Sequence, residues 1–183
     1  MEEIEVKLGE RSYKIYVDCG NLKNIGKVLK YYDLGKQATL ITNPLVGDLY
    51  QDVVKDSLKK EGFEVVIARV PDGAEYKSLE WAAKLYDKLL EHTRDRYSFV
   101  LALGGGVIGD LAGFVASTYM RGIPFVQLPT SLLAQVDASI GGKVAVNHPL
   151  GKNLIGSFYQ PRLVYTDLAV LKTLAHRELT AAL

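Results

Sequence analysis

The residues best suited to chemistry are a run of glycines that ends on an acid, Gly104-Gly105-Gly106-Val107-Ile108-Gly109-Asp110. From Gly104 to Gly109 they satisfy G-x-G-x-x-G. Glycines let the backbone approach a pyrophosphate closely, and the start of a helix offers free amides and the positive end of a dipole. The string by itself is common, and a plain strand-to-helix turn needing positive φ would also use glycine. Its context sharpens it. An apolar strand, Phe99 to Leu103, ends directly before it, and a helix is expected to open near Ile108. Three consecutive glycines and a fourth exceed what a turn requires. Asp110 would repel a phosphate; it suits the hydroxyls of a ribose, or simply the helix dipole.

A second loop, Asp72-Gly73-Ala74-Glu75-Tyr76-Lys77-Ser78, also follows a strand. In a parallel sheet both loops fall on the carboxyl edge, where ligands bind. Lys77 is placed to approach a phosphate, and Asp72 or Glu75 a ribose. Taken alone, this loop reads more simply as a capped helix start with solvated charges. Arg121, Asp137, Lys143, Lys152 and Asn153 form a third group, each near glycines or loops. Lys and Arg beside glycine-rich turns are good phosphate ligands. Any one of them is more often surface charge, but five in an apolar, glycine-rich region point to an anionic substrate. His148 reads as a loop histidine with a structural bond, and His92 and His176 as exposed helical residues. No H-E-x-x-H, cysteine pair or histidine–carboxylate cluster is present, so no complete metal site can be drawn.

The elements that hold these groups follow from periodicity. Ile4 to Leu8 and Tyr13 to Val17 alternate with period two and read as an opening hairpin. Asn21 is expected to cap a helix through Ile25, Val28 and Leu29. Ala38 to Thr42 is a short strand, ended by Asn43-Pro44, which start a helix reaching about Lys60. Phe63 to Val70 is the next strand. Ser78 caps a helix with Leu79, Ala82, Leu85, Tyr86 and Leu89 on one face. Strand and helix thus alternate after residue 20, which implies an α/β fold: a parallel sheet with helices on both faces. Phe99 to Leu103, the most apolar strand, should be central. Phe125 to Leu128 follows the glycine-loop helix, and beyond Pro129 the pattern reads as irregular, active-site loop.

Composition narrows the function classes. The chain has 183 residues, 48% hydrophobic and 23% charged, with 22 Lys plus Arg against 21 Asp plus Glu and a net charge of +1. That balance gives no electrostatic reason to expect nucleic acid or an anionic membrane as partner. Cys19 is the only cysteine, which suits a cytoplasmic location. The weakly charged stretch from Tyr97 to Met120 carries Asp110 mid-run and five glycines, which fit a buried strand-loop-helix unit rather than a membrane span. The glycine loop also lies late in the chain. The usual dinucleotide fold has it after the first strand, with an acid ~20 residues on; here that place holds Thr130 and Ser131.

The residues resemble the 3-dehydroquinate synthase family. The match runs through Pro71 to Ser78, Leu103 to Gly113, Arg121-Gly122, Gln127 to Asp137, Gly141 to Lys143, Asn147 to Gly156, Phe158 to Pro161 and Arg177 to Leu179. The resemblance implies a Rossmann-like NAD-binding α/β domain over residues 1–173, with 174–183 beginning a helical metal- and substrate-binding domain. It implies cyclisation of 3-deoxy-D-arabino-heptulosonate 7-phosphate to 3-dehydroquinate with phosphate release, in the shikimate pathway of aromatic amino acid biosynthesis. NAD would be used catalytically, and zinc or another divalent metal would polarise the oxidised hydroxyl.

Carried over residue by residue, the resemblance places NAD against Asn43, against Asp72, Gly73, Ala74, Glu75, Tyr76 and Lys77, and against Gly106, Val107, Ile108, Gly109 and Asp110. It adds Thr130, Ser131, Lys143, Lys152 and the stretch Val170, Leu171, Lys172 and Thr173. Asp137 would bind substrate hydroxyls, Lys143 and Asn153 the phosphate side of the phosphorylated sugar acid, and Arg121 a phosphate from the neighbouring subunit of a homodimer. Ala74 stands where the family has Glu, and Ser131 where Thr is common. The family's glutamate and two histidine metal ligands are expected beyond Leu183, so the chain is expected to be inactive alone and to expose an apolar face. Three other readings stand beside this one: another sugar-phosphate cyclase, an NAD-linked polyol dehydrogenase, and a non-catalytic NAD-binding or dimerising module. The close match from Gln127 to Asn153 disfavours the polyol dehydrogenase.

Overall fold

A computed structural model describes residues 1–92, 94–175 and 178–179. His176, Arg177 and the last four residues therefore lie outside the described residues, with most of the expected start of a helical domain. The opening hairpin pairs β1 (Glu2–Val6) with β2 (Tyr13–Asp18), antiparallel. Helix α1 (Ile25–Leu29) is shorter than its apolar spacing suggested and follows a 3₁₀ turn at Leu22–Asn24. Asn21 does not cap it; its Oδ1 accepts instead from Asn24 Nδ2 at 2.6 Å.

The next elements follow the expected alternation. β3 (Gln37–Thr42) leads to α2 (Pro44–Lys60), whose first turn is closed by Asn43 Oδ1 accepting from Val46 N at 2.9 Å. β4 (Glu64–Arg69) leads to α3 (Leu79–Glu91), capped by Ser78 through Trp81 N. Ala82, Leu85 and Leu89 of α3 are buried, whereas Leu79 is exposed. β5 (Ser98–Gly104), buried along its whole length, leads to α4 (Gly106–Thr118). The helix opens at Gly106, two residues before the expected Ile108.

The region beyond β6 (Phe125–Pro129) is not the irregular loop expected of it. A π-helical turn, Ala134–Ala138, is followed by an antiparallel hairpin of β7 (Lys143–His148) and β8 (Gly151–Phe158). Alternation fails to reveal the hairpin because β8 is solvent-facing along nearly all its length and carries glycine at 151 and 156. β9 (Leu163–Asp167) then inserts between β2 and β6, and a 3₁₀ turn, Leu168–Thr173, follows it.

The main sheet has the order β1-β2-β9-β6-β5-β3-β4, and every pairing but β1–β2 is parallel. β6 is the middle strand and β5 its inner neighbour, so the strand expected at the centre sits one place aside. One apolar layer holds α3 and α4 with Ala102, Phe125 and Val144; the opposite layer holds α1 and α2 with Leu40, Leu101 and Leu128. Helices thus cover both faces. The connection from β3 through α2 runs to one side of the sheet, and that from β5 through α4 runs to the other. Adjacent strands whose connections part in this way leave a crevice at their carboxyl ends, where ligands bind in such sheets.

Candidate functional site

Apart from Lys143 and Lys152, which lie on the β7–β8 hairpin, each segment expected to hold the dinucleotide leaves the carboxyl end of a parallel strand. Asn43 follows β3, Asp72 to Lys77 follow β4, Gly104 to Asp110 follow β5, Thr130-Ser131 follow β6, and Val170 to Thr173 follow β9. The β3–β5 crevice lies between the first and third of these. Asn43 Nδ2 donates to Asp72 Oδ1, which joins the β3 and β4 loops. Thr173 Oγ1 and Tyr50 Oη of α2 are 2.6 Å apart, which fixes the end of the last segment.

The glycine loop uses its glycines for space rather than for unusual dihedrals. Gly104, Gly105, Gly106 and Gly109 all lack positive φ. A Cβ on Gly109 would stand 2.9 Å from Gln127 Oε1, and on Gly105 and Gly106 it would meet Ser131 Oγ and Ala138 Cβ, each at 3.3 Å. No side chain caps α4. The amides of its first turn therefore face the crevice with the positive end of the helix dipole and no side-chain acceptor. That arrangement fits the pyrophosphate of a dinucleotide.

Lys77 is not a solvated charge. Its side chain is 9% exposed, and its Nζ donates to Asp110 Oδ2 at 2.7 Å and to Asn153 Oδ1. One ammonium group thereby joins the β4 loop, the first turn of α4 and the hairpin. Burial pushes the Asp110 carboxyl above its ordinary value, while the Lys77 hydrogen bond and charge pull it back, with a smaller pull from Lys143. Glu75, Ala74 and Asp72 are exposed. Lys143 Nζ lies 3.5 Å from Asp137 Oδ1, both well exposed. A cleft of about 360 Å³ opens beside them, lined by Asp110, Lys143, Asn153, Leu154 and Phe158 among others. Lys152 is exposed at the start of β8.

Arg121 is not brought to this cluster. It lies beyond the far end of the thirteen-residue α4, about 20 Å along the helix from the glycine loop, at the amino edge of the sheet. Both it and Met120 have positive φ, at 65° and 50°. His148 Nδ1 accepts from Leu150 N at 3.2 Å, the structural bond expected of a loop histidine. Among the described residues no three His, Cys, Asp or Glu side chains gather to hold a metal. The described residues by themselves therefore do not supply a metal's ligand set.

Two contributors escaped sequence reasoning. Gln127, inside β6, backs Gly109. Asn147 links Ala74 and Asn153 by side-chain hydrogen bonds of 3.1 Å each. Its membership of the run Asn147-His148-Pro149-Leu150-Gly151-Lys152-Asn153 was the only signal for it.

The family model for the N-terminal part of 3-dehydroquinate synthase matches residues 67–181. The chain belongs to this family. Across all 183 residues it is 56% identical to a protein named 3-dehydroquinate synthase from Desulforamulus reducens (strain ATCC BAA-1160 / DSM 100696 / MI-1), of which it covers 51%. The chain spans about half the length of the curated relatives it matches. Among solved structures it superposes with a TM-score of 0.90 on 2-deoxy-scyllo-inosose synthase complexed with carbaglucose-6-phosphate, NAD+ and Co2+. That match is 29% identical and covers 99% of this chain and 49% of the other. A 2-epi-5-epi-valiolone synthase from Streptomyces hygroscopicus subsp. jinggangensis 5008, with NAD+ and Zn2+ bound, gives 0.85 at 29% identity, covering 97% and 49%. These neighbours bear out the expected α/β NAD-binding fold class.

Proposed function

We propose that the chain forms the NAD-binding, phosphate-facing half of a 3-dehydroquinate synthase, a lyase of the shikimate pathway that cyclises 3-deoxy-D-arabino-heptulosonate 7-phosphate and releases phosphate. The observation that carries this reading is the meeting of Lys77, Asp110 and Asn153, which joins a dinucleotide crevice to a cleft lined by Lys143, whose ammonium pairs with Asp137. A binding module needs the crevice alone. An enzyme that treats one molecule by turns as a hydride donor, a phosphate ester and an aldol partner needs both, held in fixed relation.

NAD, when bound, supplies a transient hydride acceptor. The chain's own residues bind and orient. The α4 amides hold the pyrophosphate, Asp110 and the β4 loop orient the ribose, and Thr130 and Ser131 offer hydroxyls beside the loop. Asp137 accepts from substrate hydroxyls, and Lys143 with Asn153 faces the phosphate. Lys152 and the Val170 to Thr173 turn border the same edge. Arg121 belongs, in this reading, to the site of the partner subunit in a homodimer, which accounts for its distance from its own. The divalent metal belongs to the part of the longer relatives outside the matched half. The compartment is the cytoplasm.

A second reading is another sugar-phosphate cyclase, favoured by the 0.90 TM-score to 2-deoxy-scyllo-inosose synthase. The 56% identity to 3-dehydroquinate synthase against 29% to that cyclase favours the first. Calorimetric titration with NAD, followed by phosphate-release assays offering the heptulosonate phosphate and glucose 6-phosphate in turn, tests both. Saturable NAD binding is expected, with no turnover of either phosphate by this chain alone, since the described residues gather no metal-ligand cluster. Turnover of glucose 6-phosphate instead would transfer the assignment to the second reading, and an intact fold that binds no NAD would end both.

A further inference from the structure

The β7–β8 ladder is broken at one place. Val146 pairs with Ile155 and His148 with Gly151, so Asn147 stands opposite three residues, Lys152 to Leu154. Such an irregularity bends a strand and re-aims its side chains. Here it drives Asn153 into the left-handed region, at φ 57°. That backbone turn points the Asn153 side chain at Lys77 Nζ.

Asn147 fills the gap the bulge makes. Its Oδ1 accepts from Asn153 N at 3.1 Å, its Nδ2 donates to Ala74 O at 3.1 Å, and its own backbone N donates to Lys77 O at 2.7 Å. A carbonyl faces the amide nitrogen and an amide hydrogen faces the oxygen, so reversing the side-chain amide would break both bonds at once. Ala74 lies in the β4 loop and Asn153 in the hairpin. Beside the Lys77 Nζ–Asn153 Oδ1 bond, these two hydrogen bonds tie the loop backbone to the hairpin backbone through one side chain.

We propose that Asn147 is a positioning residue, which holds the left-handed turn of Asn153 and the β4 loop in one register so that the dinucleotide side and the phosphate side of the site are set together. The proposal rests on the reading of the β4 loop as a dinucleotide contact. Asn147 itself touches neither reacting group; it acts through Asn153, Ala74 and Lys77.

The test compares Asn147→Ala with Asn147→Asp in the full chain. The aspartate keeps an acceptor for Asn153 N but presents an oxygen to Ala74 O. Amide hydrogen exchange at Asn153, read by NMR without any ligand, is expected to stay protected in Asn147→Asp and to speed up about tenfold in Asn147→Ala, the worth of one hydrogen bond. NAD affinity, titrated separately, is expected to fall about tenfold in both variants. The split between the two readouts is what a merely structural residue would not give, because a loss of global stability moves both together. Unchanged Asn153 exchange in Asn147→Ala, or NAD affinity within about twofold of the parent in a folded Asn147→Ala, overturns the proposal. If the parent chain binds no NAD, the functional reading fails, while the exchange arm still decides whether Asn147 holds Asn153.

Discussion

At the scale of single residues, Lys77 decides most. Its ammonium is buried against Asp110 and Asn153, and removing one partner of such a pair leaves an uncompensated buried charge. Lys77→Met is expected to abolish NAD binding and to cost about 3 kcal/mol of stability at neutral pH, seen as a lowered urea midpoint with unchanged slope. The loss should depend on pH with a definite sign. The Asp110 carboxyl already sits above its ordinary 3.8, and without Lys77 it rises further. A group whose folded pKa is raised contributes stability below its unfolded pKa and loses it as pH climbs through the folded one. The deficit of Lys77→Met is therefore smallest below the ordinary carboxylate range and grows as pH climbs through the raised Asp110 pKa. Unfolding curves across that range, compared with the parent, would show a constant gap if Asp110 were not the group responsible. The sequence made Lys77 a possible phosphate ligand but could not tell it from a solvated lysine, because its burial comes from the hairpin seventy residues on. Asn147 was harder still, since its role exists only where the ladder breaks.

At the scale of elements, the site depends on how closely the hairpin lies on α4. Gly113, on the helix, faces Val144 of β7: a Cβ there would stand 2.4 Å from Val144 Cγ1 and 3.2 Å from the Phe125 ring. The hairpin carries Lys143 and Asn153, so its seat on the helix sets their reach. Gly113→Ala is expected to cost about 1–3 kcal/mol through this crowding, with the hairpin lifted and phosphate affinity lowered. A variant with parent-like stability and affinity would show that the hairpin floats. The alternating strands and helices from residue 37 to 129 were legible because each is amphipathic or wholly apolar, and because Asn43-Pro44 and Ser78 mark the starts of α2 and α3. The hairpin was not, because its outer strand faces solvent and its polar residues serve the site instead of the core. β9 was passed over for a different reason: its residues Leu163 to Asp167 are ordinary apolar strand, but nothing local says that they enter the sheet interior.

At the scale of the whole molecule, the face that carries the cleft is unusually apolar. Leu133 and Val136, just before Asp137 in the chain, are 52% and 59% exposed, and Leu154 and Phe158 line the cleft at 64% and 79%. Large apolar side chains exposed to this degree promote association. Sedimentation is expected to show concentration-dependent self-association of the chain, reduced in a Leu154→Ser, Phe158→Ser double variant. A monomer at every concentration would count against it. The sequence expected such a face and could not place it. No helix among the described residues is long and apolar enough to cross a membrane.

The position of β9 also governs the order in which the molecule can be made. It lies between β2 and β6, and Asp167 at its end accepts from Gly20 N and Leu22 N, each at 2.7 Å. Until residue 163 has been synthesised, the N-terminal hairpin has no strand to join, and the sheet exists in two unconnected parts. Residues 14–18 must wait for residues 163–167. Contacts so distant along the chain slow folding and leave strand edges open meanwhile. A nascent chain of this protein therefore emerges with its glycine loop already made and its keystone still missing.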